Sequence, residues 1–426
     1  MAEIRPFRGL RFCTEKAGAI EELTCPPYDI ISEEQRQAYL KENEHNVIRL
    51  ELPRGENPYE EAGKTLRAWE SEGVLKQDEK ESLYIYEEEF TAHGQRKSMK
   101  GFICRVKIEP FDKGVVLPHE ETLSKAKTDR FNLMKSCFCN FSQIYSLYMD
   151  PAHSTQKRID VLSAGKPDVE MTDADGVTHR MWIVSDEKAV SDICGDFAER
   201  KLYIADGHHR YETSLNFRNW CREQGLSGEG DDTDYVMMML VDMEHEGLVV
   251  FPTHRLVRNL ENLDLNRVVE ACRQYFDVTS EQGVSTIGSR LDALYQKGEK
   301  AFALYAGGDD WTLLVLKDKE ILPSLLPGKS AASQGLDVTV LHTLVLEKLF
   351  GIDAENMAQQ INLTYTRDFG EAIDSVQSGA SQCAFLLNPT RVQEIRDVAA
   401  AGEKMPQKST YFYPKLITGL VMNKLR

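Results

Sequence analysis

The stretch from residue 201 to residue 213 constrains the fold of this chain more than any other. It reads Lys-Leu-Tyr-Ile-Ala-Asp-Gly-His-His-Arg-Tyr-Glu-Thr, so a short apolar strand leads through a polar loop directly into a helical pattern. The first turn of a helix leaves backbone N–H groups unpaired and carries the positive end of the helix dipole. The stretch therefore predicts a strand–loop–helix unit that binds an anion, phosphate above all, at the start of the helix.

Each of the five loop residues suits that chemistry. Gly207 allows the backbone to approach a ligand closely, and Arg210 can offer a planar fork to a phosphate. His208 and His209 add hydrogen-bond donors or a general base, and Asp206 can position a magnesium ion or an acceptor. The plainer alternative makes Asp206 a helix cap and the histidines surface residues, but five capable residues in succession disfavour it.

The hydrophobic pattern predicts a chain of mixed helices and strands. Alternating apolar and polar residues around His93-Gly94 indicate a half-buried β-hairpin. The predicted elements are helices over 33–42, 59–72, 122–135, 265–275, 337–350 and 391–401, and strands over 47–52, 82–90, 100–108, 140–148, 202–205, 235–241, 300–316 (a hairpin) and 384–387.

At 426 residues the chain exceeds what one hydrophobic core usually holds. We expect an α+β protein in two parts. The first, over 1–255, is the phosphate-binding core with β-hairpin additions, and the second, over 256–426, is an α+β domain packed on that core.

The charge balance limits the partners. The chain has 51 basic and 68 acidic residues, a net charge of −17, and no concentrated basic patch, which disfavours binding to nucleic acid. A pocket that focuses a few cations can still hold a small anion. No apolar run approaches the roughly 20 residues that span a bilayer, and residues 1–7 lack a signal-peptide pattern, so we expect a cytoplasmic protein without membrane contact. The oligomeric state stays open.

Two further clusters are candidates for the same site. Lys127 and Arg130 supply cations, and Asp129 between them is a possible magnesium ligand, although such a run can also be a solvated helix face. Lys408 and Ser409 belong to a donor-rich loop that can bind phosphate or form an ordinary turn. The loop lacks the glycine spacing of a P-loop.

Several segments of the chain resemble the family called domain of unknown function 1015. These segments are 25–31, 46–52, 117–122, 127–130, 206–210 and 405–415, which together span nearly the whole chain. The loop at 206–210 resembles the signature loop of the ParB and sulfiredoxin superfamily. Within that superfamily it is most similar to the free serine kinase branch, which carries a similar Asp-Gly-His-x-Arg.

The resemblance implies a ParB/sulfiredoxin-like mixed α/β core and a phosphotransferase activity. A phosphoryl group would move from ATP, ADP or pyrophosphate, with Mg²⁺, to a small hydroxyl acceptor, with free L-serine as the first candidate. Related serine kinases use an N-terminal carboxylate as base, and Glu51 is the corresponding candidate here. Two alternatives stay open: a nucleotide-binding switch and a non-catalytic effector-binding protein.

Overall fold

The computed structural model of the chain describes residues 1–120, 122, 124–283 and 286–426. Within these ranges, no helix combines the length and the apolar character needed to cross a bilayer. The described strands are β1 (Ile4–Arg5), β2 (Leu10–Phe12), β3 (Leu75–Gln77), β4 (Leu83–Ala92), β5 (Gln95–Lys107), β6 (Val116–Leu117), β7 (Cys139–Asn140), β8 (Ile144–Tyr148), β9 (Val169–Thr172), β10 (Thr178–Val184), β11 (Leu202–Asp206), β12 (Tyr235–Asp242), β13 (Val249–Phe251), β14 (His254–Val257), β15 (Phe276–Gln282), β16 (Ala301–Tyr305), β17 (Asp310–Leu316), β18 (Leu363–Thr366), β19 (Cys383–Leu386), β20 (Tyr411–Tyr413) and β21 (Asn423–Lys424).

The described helices follow the same chain order. They are α1 (Thr14–Ala17), α2 (Ile20–Leu23), α3 (Glu33–Glu42), α4 (Ile48–Glu51), α5 (Pro58–Glu72), α6 (Ser124–Cys137), α7 (Ser154–Leu162), α8 (Glu187–Asp196), α9 (His208–Glu223), α10 (Leu265–Cys272), α11 (Ile287–Gln296), α12 (Leu322–Leu325), α13 (Ala331–Gln334), α14 (Asp337–Leu341), α15 (Lys348–Phe350), α16 (Ala354–Gln359), α17 (Phe369–Gln377) and α18 (Val392–Ala400). A π-helical segment, His342–Glu347, joins α14 to α15.

The chain forms two compact units. The first comprises residues 1–118, 122–249 and 414–426, and the second comprises residues 119–121 and 250–413. The last segment of the chain therefore folds into the first unit. The predicted division into a core over 1–255 and a domain over 256–426 stays a prediction.

A mixed nine-stranded sheet organises the first unit. Its order is β6-β11-β8-β12-β5-β4-β10-β9, with β1 beside β5. Every residue of β12 is buried, as expected for a central strand covered on both faces. β11 runs antiparallel to β8 and has a register irregularity between Ile204 and Asp206, at the point where the loop begins. The ParB/sulfiredoxin assignment of this mixed α/β arrangement stays a prediction.

Local sequence signals account for several elements. The predicted hairpin around His93-Gly94 is confirmed, since β4 and β5 pair in register on either side of that turn. The predicted helix over 33–42 is confirmed as α3, whose first turn is closed by a capping box between Ser32 and Gln35. The predicted helix over 59–72 is confirmed as α5, which ends at the left-handed Gly73.

The predicted strand over 47–52 is wrong, because these residues form the short helix α4. The side-chain oxygen of Asn46 accepts a hydrogen bond from the N–H of Ile48 at 2.9 Å, which starts a helical turn. Glu51 N–H then donates to the carbonyl of Val47. The segment is buried on several sides, so its apolar residues do not reveal the strand or helix period.

The second unit contains a six-stranded sheet of order β15-β17-β16-β19-β14-β18. The predicted hairpin over 300–316 is confirmed as β16 and β17. The predicted helix over 337–350 is helical throughout, but its middle widens into the π-helical segment 342–347. Sequence periodicity does not distinguish a π-turn from an α-turn over so few residues.

Candidate functional site

The predicted strand–loop–helix unit is confirmed. β11 ends at Asp206, α9 begins at His208, and Gly207 between them has a φ of +97°, which is a left-handed conformation. A β-carbon at residue 207 would lie 2.9–3.0 Å from the guanidinium atoms of Arg210. The turn therefore requires glycine for two reasons, the backbone angle and the space that the arginine occupies.

Asp206 lies between two cations at the start of this turn. Its Oδ2 accepts a hydrogen bond from Nη2 of Arg210 at 2.7 Å, and its Oδ1 accepts one from Nζ of Lys415. Burial alone would raise the pKa of this carboxyl, but Lys415 and Arg210 outweigh burial and hold the pKa well below its usual range. Two cations therefore lie beside one carboxylate at the start of the turn.

Arg210 is held in place at two points. Besides its bond to Asp206, its Nη1 donates to the carbonyl oxygen of Gln143 at 2.6 Å. The side chain is 14% exposed. A guanidinium carries five N–H donors. The two hydrogen bonds that Arg210 makes within the described part of the chain leave further donors for a ligand.

The two histidines occupy the first turn of α9. His208 is buried and contributes to the lowered pKa of Asp206, whereas His209 is partly exposed. Both residues lie at the positive end of the helix dipole. The phosphate-binding and catalytic roles predicted for His208, His209, Gly207 and Arg210 remain predictions.

Glu51 is a buried carboxylate with a polar environment. Its Oε1 accepts a hydrogen bond from the hydroxyl of Ser142 at 2.8 Å, and its Oε2 lies 3.6 Å from Nη1 of Arg130. Burial raises the pKa of Glu51 by more than Arg130 and Ser142 lower it. The Arg130 guanidinium also stacks 4.0 Å from the ring centre of Tyr28. The carboxylate is thus held beside a fixed cation and is a stronger base than an exposed glutamate.

The structure brings Glu51 and Arg210 to one place. Both line a cavity of about 40 Å³ in the first unit, together with Arg130 and Ser142. A water molecule needs roughly 10–15 Å³ of such space, so the cavity holds a few solvent molecules or a small ligand group. A carboxylate predicted from the N-terminal segment and an arginine predicted from the loop therefore share one cavity.

Lys127 and Asp129 are engaged by neighbouring side chains. Nζ of Lys127 donates to Oε2 of Glu212 in α9 at 2.7 Å. Oδ2 of Asp129 accepts hydrogen bonds from Nε and Nη2 of Arg130 at 2.9 and 2.6 Å, and its Oδ1 accepts one from the hydroxyl of Tyr59 at 2.9 Å. Lys127 therefore lies beside the first turns of α9, where its predicted phosphate role is still untested.

The predicted magnesium ligands Asp206 and Asp129 do not fit a protein-held magnesium site as they stand. Magnesium takes oxygen ligands, and here the oxygens of both carboxylates accept hydrogen bonds from cationic side chains or from a tyrosine. Over residues 1–120, 122, 124–283 and 286–426, no group of three or more His, Cys, Asp or Glu side chains could hold a metal ion.

Lys408 and Ser409 belong to the second unit. The N–H of Lys408 donates to Oε1 of Glu120 at 2.8 Å, and the hydroxyl of Ser409 donates to the carbonyl of Pro406. Lys408 also has a positive φ of 56°, typical of a tight turn. Their predicted contact with phosphate remains a prediction.

Lys415 was not among the residues predicted from the sequence. It lies 209 residues beyond Asp206 in the chain, and no local pattern links the two. The one available signal was that residue 415 closes the last of the segments that resemble the family. Gln143, which contributes only a backbone carbonyl, gives no sequence signal at all.

Gly207→Ala tests the geometry of the turn. We expect an alanine at 207 to incur the strain of a positive φ, about 1–2 kcal/mol, and in addition to displace the Arg210 side chain. Gly176→Ala is the matched control, because Gly176 also has a positive φ but has open space around its Cα. Urea unfolding should show a larger loss for Gly207→Ala, and equal losses would contradict the contact with Arg210.

Asp206→Asn tests the ion cluster through its pH dependence. The folded pKa of Asp206 lies below its unfolded value, so its stabilising contribution is complete above about pH 4 and is lost as the pH falls towards the folded pKa. The difference in unfolding free energy between the wild type and Asp206→Asn should therefore be largest near neutral pH and shrink below about pH 4. A difference that stays constant from pH 7 to pH 3 would show that the charge is not stabilised by its neighbours.

Comparison with known proteins identifies the family of this chain. No curated protein matches the chain. Among solved structures, the chain is similar to a conserved hypothetical protein from Pyrococcus furiosus, with 15% identity, a TM-score of 0.37, and coverage of 76% of this chain and 94% of that chain. It is also similar to a free serine kinase in complex with AMP, with 13% identity, a TM-score of 0.39, and coverage of 76% and 90%.

A mutant free serine kinase in complex with ADP gives 12% identity, a TM-score of 0.39, and coverage of 76% of this chain and 91% of that chain. At these TM-scores the likenesses carry no argument about activity. The family model described as Protein of unknown function (DUF1015) matches residues 4–339, which is most of the chain. The protein therefore belongs to the DUF1015 family.

Proposed function

We propose that the protein is a small-molecule phosphotransferase that moves a phosphoryl group from a nucleotide or pyrophosphate to a hydroxyl acceptor, with free L-serine as the first candidate. One observation carries this proposal. A buried carboxylate, Glu51, and the arginine of the anion-binding turn, Arg210, line the same cavity. Phosphoryl transfer needs this pairing of a base for the acceptor hydroxyl with cations for the transferred group.

The donor phosphates are assigned to the start of α9. Backbone N–H groups of His208 and His209 and the remaining N–H donors of Arg210 bind phosphate oxygens, and Lys415 adds positive charge. Asp206 orients both cations through its two oxygens and so acts as a positioning residue. The transition state of phosphoryl transfer is stabilised mainly by such positioning and charge neutralisation.

Glu51 is assigned as the general base. It takes the proton of the acceptor hydroxyl while the hydroxyl oxygen bonds to phosphorus and the bond from phosphorus to the donor oxygen breaks. Burial raises the pKa of Glu51, which strengthens it as a base, and Arg130 at 3.6 Å keeps the ionised form available. The resemblance of the 206–210 loop to that of free serine kinases supports the choice of serine as the acceptor.

Glu51→Gln tests the proposal. The glutamine can still accept the hydrogen bond from Ser142 but cannot take a proton, so turnover should fall by at least about 100-fold with little change in the KM for the donor. The assay incubates the protein with magnesium, mixed amino acids and ATP, ADP or pyrophosphate, and follows products by phosphorus NMR. Glu60→Gln is the matched control, because that carboxylate lies exposed on α5.

Thermal unfolding of both variants separates a loss of chemistry from a loss of folding. Full activity in a folded Glu51→Gln variant would remove Glu51 from the reaction. Binding of a nucleotide by the wild type with no phosphorylated product under any donor would contradict the transferase and favour the nucleotide-binding switch.

A further inference from the structure

A second polar site lies in the second unit around Arg255 and His342. Arg255 is fully buried, and in the described part of the chain it forms no ion pair with a carboxylate. Its Nη1 donates to the carbonyl of Thr253 and its Nη2 to the carbonyl of Lys408, whereas its Nε donates to Nε2 of His342 at 3.1 Å.

This last bond fixes the protonation of His342. A guanidinium can only donate, so Nε2 of the imidazole must be the acceptor and the ring proton must sit on Nδ1. Burial and the adjacent Arg255 charge both lower the pKa of His342 well below its usual value, which keeps the ring neutral. The ring therefore presents one N–H donor, at Nδ1.

That donor has no acceptor in the part of the chain that the structure describes. His342 is 4% exposed, and the bond from Arg255 is the one hydrogen bond its ring makes among the residues that the structure describes. A ring N–H with no acceptor among these residues can donate to a ligand or to solvent.

His342 lines a cavity of about 160 Å³. Thr339, Met357 and Met405 are the other buried residues of its wall, and Lys329 and Glu347 lie at its exposed side. A cavity of about 150 Å³ holds a molecule the size of benzene, so this one accommodates roughly six to ten non-hydrogen atoms. All of these residues belong to the second unit.

The π-helical segment 342–347 forms one side of this cavity. Its residues His342, Thr343 and Glu347 all line the cavity. In a π-turn the backbone hydrogen bond joins residues five apart instead of four, which widens the helix and brings residues 342 and 347 towards a common face. Such turns are frequent at functional sites. The widened turn thus supplies a donor and a carboxylate to the same cavity.

We propose that this cavity binds a free α-amino acid. The ligand carboxylate accepts the hydrogen bond from Nδ1 of His342 and is attracted by Lys329, and the ligand ammonium group faces the carboxylate of Glu347. The mixed charges fit a zwitterion better than phosphate, which Glu347 would repel. Met357 and Met405 offer an apolar and adaptable surface for the ligand side chain.

Isothermal titration with single amino acids tests the proposal. At least one amino acid should bind the wild type, and its analogues without the carboxylate or without the ammonium group should bind at least about tenfold more weakly. Glu347→Gln should also weaken binding at least about tenfold, whereas Lys297→Ala, an exposed lysine of the same unit outside the cavity, should leave binding unchanged. Glu347 is exposed, so its replacement should not impair folding.

Nitrogen NMR of the histidines gives a direct readout of the Nδ1–H donor of His342. Addition of the ligand should shift the Nδ1–H resonance of His342 while Nε2 remains an acceptor. Because the proposed acceptor of the first unit is also an amino acid, binding is measured in Glu51→Gln as well, and it should be retained there. The inference is overturned if no amino acid binds the wild type at millimolar concentration, if Glu347→Gln binds as the wild type does, or if Glu51→Gln alone abolishes binding.

Discussion

The ionised carboxylate of Asp206, held between Arg210 and Lys415, is the interaction on which the candidate site depends. It joins the end of β11, the first turn of α9 and the last segment of the chain. The same final segment is fixed elsewhere in the first unit, where Met422 exchanges backbone hydrogen bonds with Leu10 and Thr418 does so with Cys25. A charge cluster formed by residues distant in sequence thus holds the 206–210 turn in place.

The other features of the site follow from this arrangement. Gly207 is required because Arg210 folds back over the turn to reach Asp206, and Arg210 then extends to the carbonyl of Gln143. This position places Arg210 on the wall of the cavity that Glu51 also lines. The chain has a net charge of −17, yet Arg210 and Lys415 bring two cations to this turn.

Much of the site could be predicted because its signals are local. The strand, the glycine and the helix start lie within 13 residues, and hairpins such as β4–β5 show their alternation directly. Lys415 was missed because its contact with Asp206 spans 209 residues of the chain. The helix α4 was predicted as a strand because its residues are buried on several sides, so the spacing of its apolar residues does not distinguish a helix from a strand. The ring N–H donor of His342 depends on the tautomer that the bond from Arg255 imposes, and no sequence pattern indicates that bond.

The most direct test of the central claim is a crystal structure with bound ADP or pyrophosphate. The claim predicts phosphate oxygens within hydrogen-bonding distance of the backbone N–H groups of His208 and His209, with Lys415 or Arg210 contacting the same phosphate. The carboxylate of Glu51 should face that phosphate from the side on which the acceptor hydroxyl attacks. A phosphate bound elsewhere, with the 206–210 turn unchanged and closed by its own side chains, would contradict the claim.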